Sequence, residues 1–221
     1  MQRHFEEELE KLKEKLVLMG ELVEGMIAKA TLAVNQQDPS TKESLYQQEE
    51  RVNLIQIEID ELGISLIALQ QPAATDLRFI TSAMKINNDL ERMADQAVNI
   101  SQHIVQATEI FPQEIFNMLD MISQKAQAMV KDSLKAFLKK DLALAQTVLK
   151  RDDEVDDLKD NICLWLISYM KENPEKIAGS IDLLIVSRNL ERIADHATNI
   201  AEDVIYMVAG KDIRHHILEK Q

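Results

Sequence analysis

The chain has 221 residues, with 38 acids against 25 Lys and Arg and a formal net charge of −13. Such an excess repels nucleic acid and anionic lipid headgroups, and no local basic patch offsets it, so no nucleic-acid partner is expected. Aromatic residues make up only 4%, with five Gly and four Pro, a mix that favours helix over sheet.

In chain order, Leu9, Leu12, Leu16, Met19, Val23, Met26 and Ala30 form an apolar seam at alternating spacings of three and four, the mark of a long amphipathic helix. The stretch "QDPSTKE" (37–43) then breaks the helix, and Ser40 and Glu43 have capping-box spacing. A second seam follows in Val52, Ile55, Ile59, Leu62, Leu66 and Leu69. Pro72 marks the next start, and Leu90, Met93, Ala97, Ile100 and Ile104 form the third seam.

The series then begins again after Pro112. Ile115, Leu119, Ile122, Ala126, Met129, Ser133 and Ala136 line the fourth helix. "KKD" (139–141) repeats the break at "QQD" (36–38), 103 residues on. Val148, Val155, Leu158, Ile162, Trp165 and Tyr169 form the fifth seam. Asn173 is placed to cap the start at Pro174, and Leu190, Ile193, Ala197, Ile200, Val204 and Met207 form the sixth. The third and fourth helices have so little between them that they could run almost continuously.

A twelve-residue phrase is written twice. "DLERMADQAVNI" (89–100) returns as "NLERIADHATNI" (189–200), identical at eight positions. Three helices can bury seams that one cannot, so the expected fold is all-α, two tandem three-helix bundles divided near "TEIFPQ" (108–113) into residues 1–109 and 110–221.

Within the repeated phrase, Glu91 and Asp95 are neighbours on the helix surface, as are Glu191 and Asp195. Asn88 and Asn99 extend the first stripe; Arg188, Asn199 and Asp203 extend the second. On the second and fifth helices "EERVN" (49–53) matches "DDEVD" (152–156), so Glu49 and Asn53 correspond to Asp152 and Asp156. Acids converging from two helices repel one another until some protonate or a hard cation arrives, and Mg²⁺, Ca²⁺, Mn²⁺ and iron all suit oxygen donors. The alternative is a solvated face whose acids pair with Arg92 and Arg192.

Other residues point away from chemistry. Cys163 is the only cysteine, which excludes an intramolecular disulfide and a cysteine metal site; its apolar neighbours predict a buried core thiol. His196 is placed on a rim, its counterpart being Gln96, and His215 and His216 lie in a tail. None of the five His has a Glu three residues earlier, as di-iron carboxylate bundles require. No phosphate-binding glycine loop, dinucleotide fingerprint or nucleophile elbow is present, and no catalytic residue is assigned. The longest apolar run, "CLWLI" (163–167), is too short to span a bilayer, and "MQRHFEEELEKLKEKL" lacks a signal-peptide core. A cytoplasmic protein without membrane insertion is expected.

"LIALQQPAATDLRFI" (66–80), "KINNDLERMADQAVNI" (85–100) and "NLERIADHATNIAED" (189–203) resemble the PhoU family of phosphate-uptake regulators. The resemblance covers nearly the whole chain and implies two similar three-helix bundles. It also implies a cytoplasmic negative regulator that restrains high-affinity phosphate import and keeps the starvation response off. The implied partners are the phosphate ABC transporter's ATPase and the phosphate-sensing histidine kinase, and family members are often homodimers. Family metal motifs map onto Glu91 and Asp95, Glu191 and Asp195, and Asp152 and Asp156; Glu49 is followed by Asn53, which keeps a carbonyl oxygen but brings no charge. The implied metal is divalent or trivalent: iron, Mn, Mg, Ca or Zn. Bare carboxylates repel phosphate, so phosphate would be sensed through a partner or at a bound metal. A carboxylate-bridged metalloenzyme and a helical scaffold or chaperone cofactor are the competing readings.

Overall fold

The computed structural model describes residues 2–105 and 110–213. Six helices follow in order: α1 (Gln2–Gln36), α2 (Lys42–Gln70), α3 (Ala74–Gln102), α4 (Gln113–Lys139), α5 (Leu142–Glu172) and α6 (Ile177–Ala209). Among the described residues there is no strand, and no helix is long and apolar enough to cross a membrane. The expected all-α pair of three-helix bundles is what forms. The dividing point between residues 109 and 110 borders residues that are not described, and His215 and His216 also lie outside the described residues.

The seams are buried almost as read. Leu12, Leu16, Met19, Val23, Met26 and Ala30 of α1 are sealed in the core, as are Ile115, Leu119, Ile122, Ala126, Met129 and Ala136 of α4. Each large aliphatic side chain so buried contributes about 1.5–3 kcal/mol. Leu69 departs from the pattern, leaving 75% of its surface in solvent, because it lies beyond Leu66, the last residue of α2 to be sealed in the core. Cys163 is only partly buried. Continuity between α3 and α4 also fails: the chain leaves the helix at His103 and residues 110–112 are non-helical.

The helix ends repeat as faithfully as the seams. Asp38 N–H reaches Ala33 O at 2.9 Å and Gln37 N–H reaches Val34 O at 3.1 Å; Asp141 and Lys140 make the same pair of bonds to Ala136 and Phe137 at 2.9 and 3.2 Å. Gln37 and Lys140 both turn left-handed, at φ 51 and 54, which completes a Schellman closure in each copy. Asp38 then accepts from Ser40 N–H, and Asp141 from Leu144 N–H. Asp38 therefore takes the capping role that the spacing assigned to Ser40 and Glu43. Asn173 also departs from expectation. Its amide and backbone N–H both donate to Tyr169 O, closing the end of α5 rather than capping the next start.

The two bundles do not hang as beads. Helix α3 packs along α6 at least as extensively as along either helix of its own bundle, and α1 packs on α4. The α3–α6 pair is antiparallel, with Arg78 near Met207 at one end and His103 near Asp182 at the other. These contacts run about equally far on either side of Met93 and Ile193, which are equivalent in the repeat. A pseudo-twofold axis thus crosses the α3–α6 waist, where the small residues Ala94, Ala97, Ala194 and Ala197 are fully buried. The repeated phrase is the waist of the molecule.

Candidate acidic grooves at the waist

Each of α3 and α6 turns one side to the other and a second side to its flanking helix. The second side of α3 faces α2. That groove is stitched by Asn87, which donates to Gln56 O and to Asp60 Oδ1, both at 3.0 Å, and by Gln56 donating to Asn88 at 3.1 Å. Glu49 and Asn53 enter it from α2, and Glu91 and Asp95 from α3. The equivalent α5–α6 groove receives Asp152 and Asp156 from α5 and Glu191 and Asp195 from α6.

The second groove is strongly self-repelling. Loss of hydration, then the fields of Asp195, Asp156, Asp153 and Glu191, push the Asp152 carboxyl up from 3.8 to about 6. Glu191 is raised by desolvation and then by Asp195 and Asp156; Asp195 is raised by desolvation and then by Asp156. Asp195 keeps an exposed surface, so it loses its hydration only on the side turned toward α5, where Asp156 adds to the rise. None of the four makes a Lys or Arg ion pair. Lys159, the cation whose field Glu191 feels most, is spent on Asp160 at 2.8 Å.

The first groove is milder. Glu91 is raised by desolvation, then by Asp95, while Arg92 pulls it down and Glu49 adds to the rise. Arg92 stands 3.6 Å from Glu91 and 3.8 Å from Asp95, the solvated pairing considered from sequence, whereas Arg192 makes no ion pair. Asn53 donates its amide to Glu49, and its Oδ1 is shielded from solvent with no donor to meet.

The eight residues picked from sequence are thus gathered as two sets of four, each spanning two helices. Among the described residues, however, no three His, Cys, Asp or Glu are drawn close enough to form a ready metal cluster. The donor chemistry of the second groove fits a hard cation: oxygen-only, over-charged and short of counter-cations. The first set of four offers fewer charges and, in Asn53, an orphaned carbonyl oxygen.

Asp203 leaves the stripe on which the spacing placed it. It is buried against α3, and Lys85 reaches it at 2.9 Å. Sequence reasoning passed over Asp89, which meets His196 Nδ1 at 2.9 Å and accepts from Asn199 at 3.2 Å across the waist. His196 is a rim residue, as read, but it faces both grooves: its field reaches Glu91 and Asp195.

Comparison with known proteins agrees with this architecture. The PhoU domain matches twice, at residues 16–104 and 119–204. The chain is 39% identical to an Aquifex aeolicus protein named phosphate-specific transport system accessory protein PhoU homolog, covering 96% of this chain and 97% of that one. A Clostridium acetobutylicum protein of the same name is 37% identical over 95% and 96%. The crystal structure of PhoU from Pseudomonas aeruginosa superposes with a TM-score of 0.88 at 35% identity, covering 94% of this chain and all of that one. The phosphate transport system regulatory protein PhoU from Streptococcus pneumoniae gives 0.87 at 27% identity, over 95% and 99%. With both repeats matched and nearly full-length relatives well above 30% identity, the chain belongs to the PhoU family.

Proposed function

We propose that the chain is a non-enzymatic accessory protein of phosphate-specific transport. It works in the cytoplasm as a negative regulator of phosphate uptake and of the starvation response. It acts as an adaptor between the phosphate ABC transporter's ATPase and the phosphate-sensing histidine kinase, as a homodimer. The observation that carries this reading is the nearly end-to-end match, both repeats included, to proteins named for phosphate-specific transport.

The chemistry of the grooves supports an adaptor over a direct phosphate receptor. A phosphate site needs convergent N–H donors, Arg, Lys or a metal. The grooves offer carboxylates, which repel it. Asp152, Asp156, Glu191 and Asp195 would hold a cation, with Glu49, Asn53, Glu91 and Asp95 as the weaker set. Bound there, a metal (iron, Mn, Mg, Ca or Zn) supplies positive charge that relieves the crowded carboxylates. The protein's own part is to hold the carboxylates apart on rigid helices.

Deleting the gene is expected to switch on a phosphate-starvation reporter in phosphate-rich medium, with silencing restored by the wild-type gene. A reporter that stays off in the deletion strain sinks the phosphate assignment.

A further inference from the structure

The repeat gives the surface an internal comparison. Leu54 and Ile57 on α2 stand where α5 carries Asp157 and Asp160, and all four residues are exposed. The aspartates show what a solvated face at these positions holds. The fold therefore does not call for apolar residues there, yet Leu54 leaves 64% and Ile57 54% of their surface in water. At helical pitch, Tyr46 and Ile64 fall in line with Ile57 and are exposed as well. Scattered apolar residues on a surface are ordinary; a line of them along one unpartnered helix face is less so.

Charge narrows the occupant. Glu50 and Glu61 lie between this line and Leu54, exposed and without an ion pair. On the other side lie Glu49 and Asp60, at the edge of the first acidic groove. The one arginine of the helix, Arg51, is farther round, beyond Glu58. Anionic lipid headgroups would be repelled by these acids. A second copy meeting this face isologously would set the same carboxylates against each other.

We infer that the outer face of α2 is a docking surface for a basic amphipathic helix of a partner polypeptide. Its apolar side chains lie on Ile57 and Ile64 and on Leu54, and its Lys or Arg side chains meet Glu50 and Glu61 between them. Helix-on-helix docking of this kind uses anchors at the spacing seen here. The inference deepens the adaptor reading and rests on it for the partner's role, not for the recognition chemistry.

The test is titration of the full-length protein with a labelled amphipathic helical peptide of leucine and lysine, beside the same pattern with glutamate replacing lysine. The lysine peptide is expected to bind and the glutamate peptide not. Leu54→Asp/Ile57→Asp, which makes α2 like α5, is expected to weaken binding about tenfold or more. The sign is decisive: added acid would strengthen a merely electrostatic association, whereas docking on the apolar line weakens. Leu54→Gln/Ile57→Gln, which adds no charge, is expected to lose binding similarly and serves if the aspartates disturb the helix. Unchanged or tighter binding by both variants overturns the inference. So does equal binding of the glutamate peptide, or a wild-type dimer that the variants convert to monomer in sedimentation. The reporter strain is a separate test: the peptide can bind while the phosphate reading fails, and the reverse.

Discussion

Replacing Asp152 with asparagine is expected to make the metal-free protein more stable at pH 7 and less responsive to divalent metal. Burial and the neighbouring acids raise this carboxyl to about 6. Between pH 3.8 and about 6 the native state is then the better proton binder, so its contribution to stability is full below 3.8 and is lost as pH rises through about 6. A shift of this size would amount to about 3 kcal/mol in a sealed site. Asp152 is only half-buried, and screening by solvent cuts this to about 1 kcal/mol. Glu191 and Asp195, shifted in the same direction, add to the slope.

Metal acts in the opposite sense. At a free concentration about 100 times its dissociation constant, a cation adds about 2.7 kcal/mol, or about 5–10 °C in Tm for a chain of this size. Asp152→Asn removes a charged ligand and should lose most of that gain. Thermal melts from pH 4 to 8, with and without Mn²⁺, check both parts. A variant with the wild-type pH slope and the wild-type metal gain would show that Asp152 belongs to a plain solvated face.

Phe137→Ala is expected to be the costliest single truncation. Phe137 of α4 is fully buried and stacks on Phe79 of α3, ring centroids 4.9 Å apart. The cost is about 3–5 kcal/mol, because the bundle cannot close over the space of a ring. That lowers Tm by about 6–20 °C at the usual sensitivity for a chain of this length. The stack joins the two repeats, and the α3–α6 and α1–α4 contacts fuse their cores. The whole chain should therefore melt in one shifted transition by calorimetry. Two transitions, with only the later helices affected, would mean that the bundles fold independently.

Much of this was legible in the sequence because helical periodicity and internal repetition report the same thing twice. The six seams fixed the helices, and the matched "QQD" and "KKD" breaks fixed the register in which Gln37 and Lys140 turn. The eight groove residues were found because the acids recur at equivalent positions of both copies. The misses lie where a side chain's fate depends on another helix. Asp203 has the spacing of the stripe, but each step of four residues drifts round the helix, and by Asp203 the drift has carried it under α3 to Lys85.

Asp89 was missed for a related reason. It differs between copies, being Asn189 in the second, and a search for shared residues discards it. Its partner His196 also differs, being Gln96 in the first. Two of the four positions that break the repeat pair with each other across the waist, while their counterparts Asn189 and Gln96 are both buried. Complementary departures from an internal repeat were the available signal. The exposed line on α2 went unread because seams were judged by where they could be buried, and exposure is decided only once the bundle has closed.

The central claim is that the twice-written phrase carries the regulation. The most direct measurement is rescue of the deletion strain, in phosphate-rich medium, by Glu91→Gln/Glu191→Gln, with circular dichroism showing that the variant folds. Both glutamates have raised carboxyls in their grooves, and glutamine keeps their size while removing the charge. The account predicts that the folded double variant leaves the starvation reporter on. A reporter silenced as fully as by wild type would contradict it, and the acidic grooves would then be solvated surface.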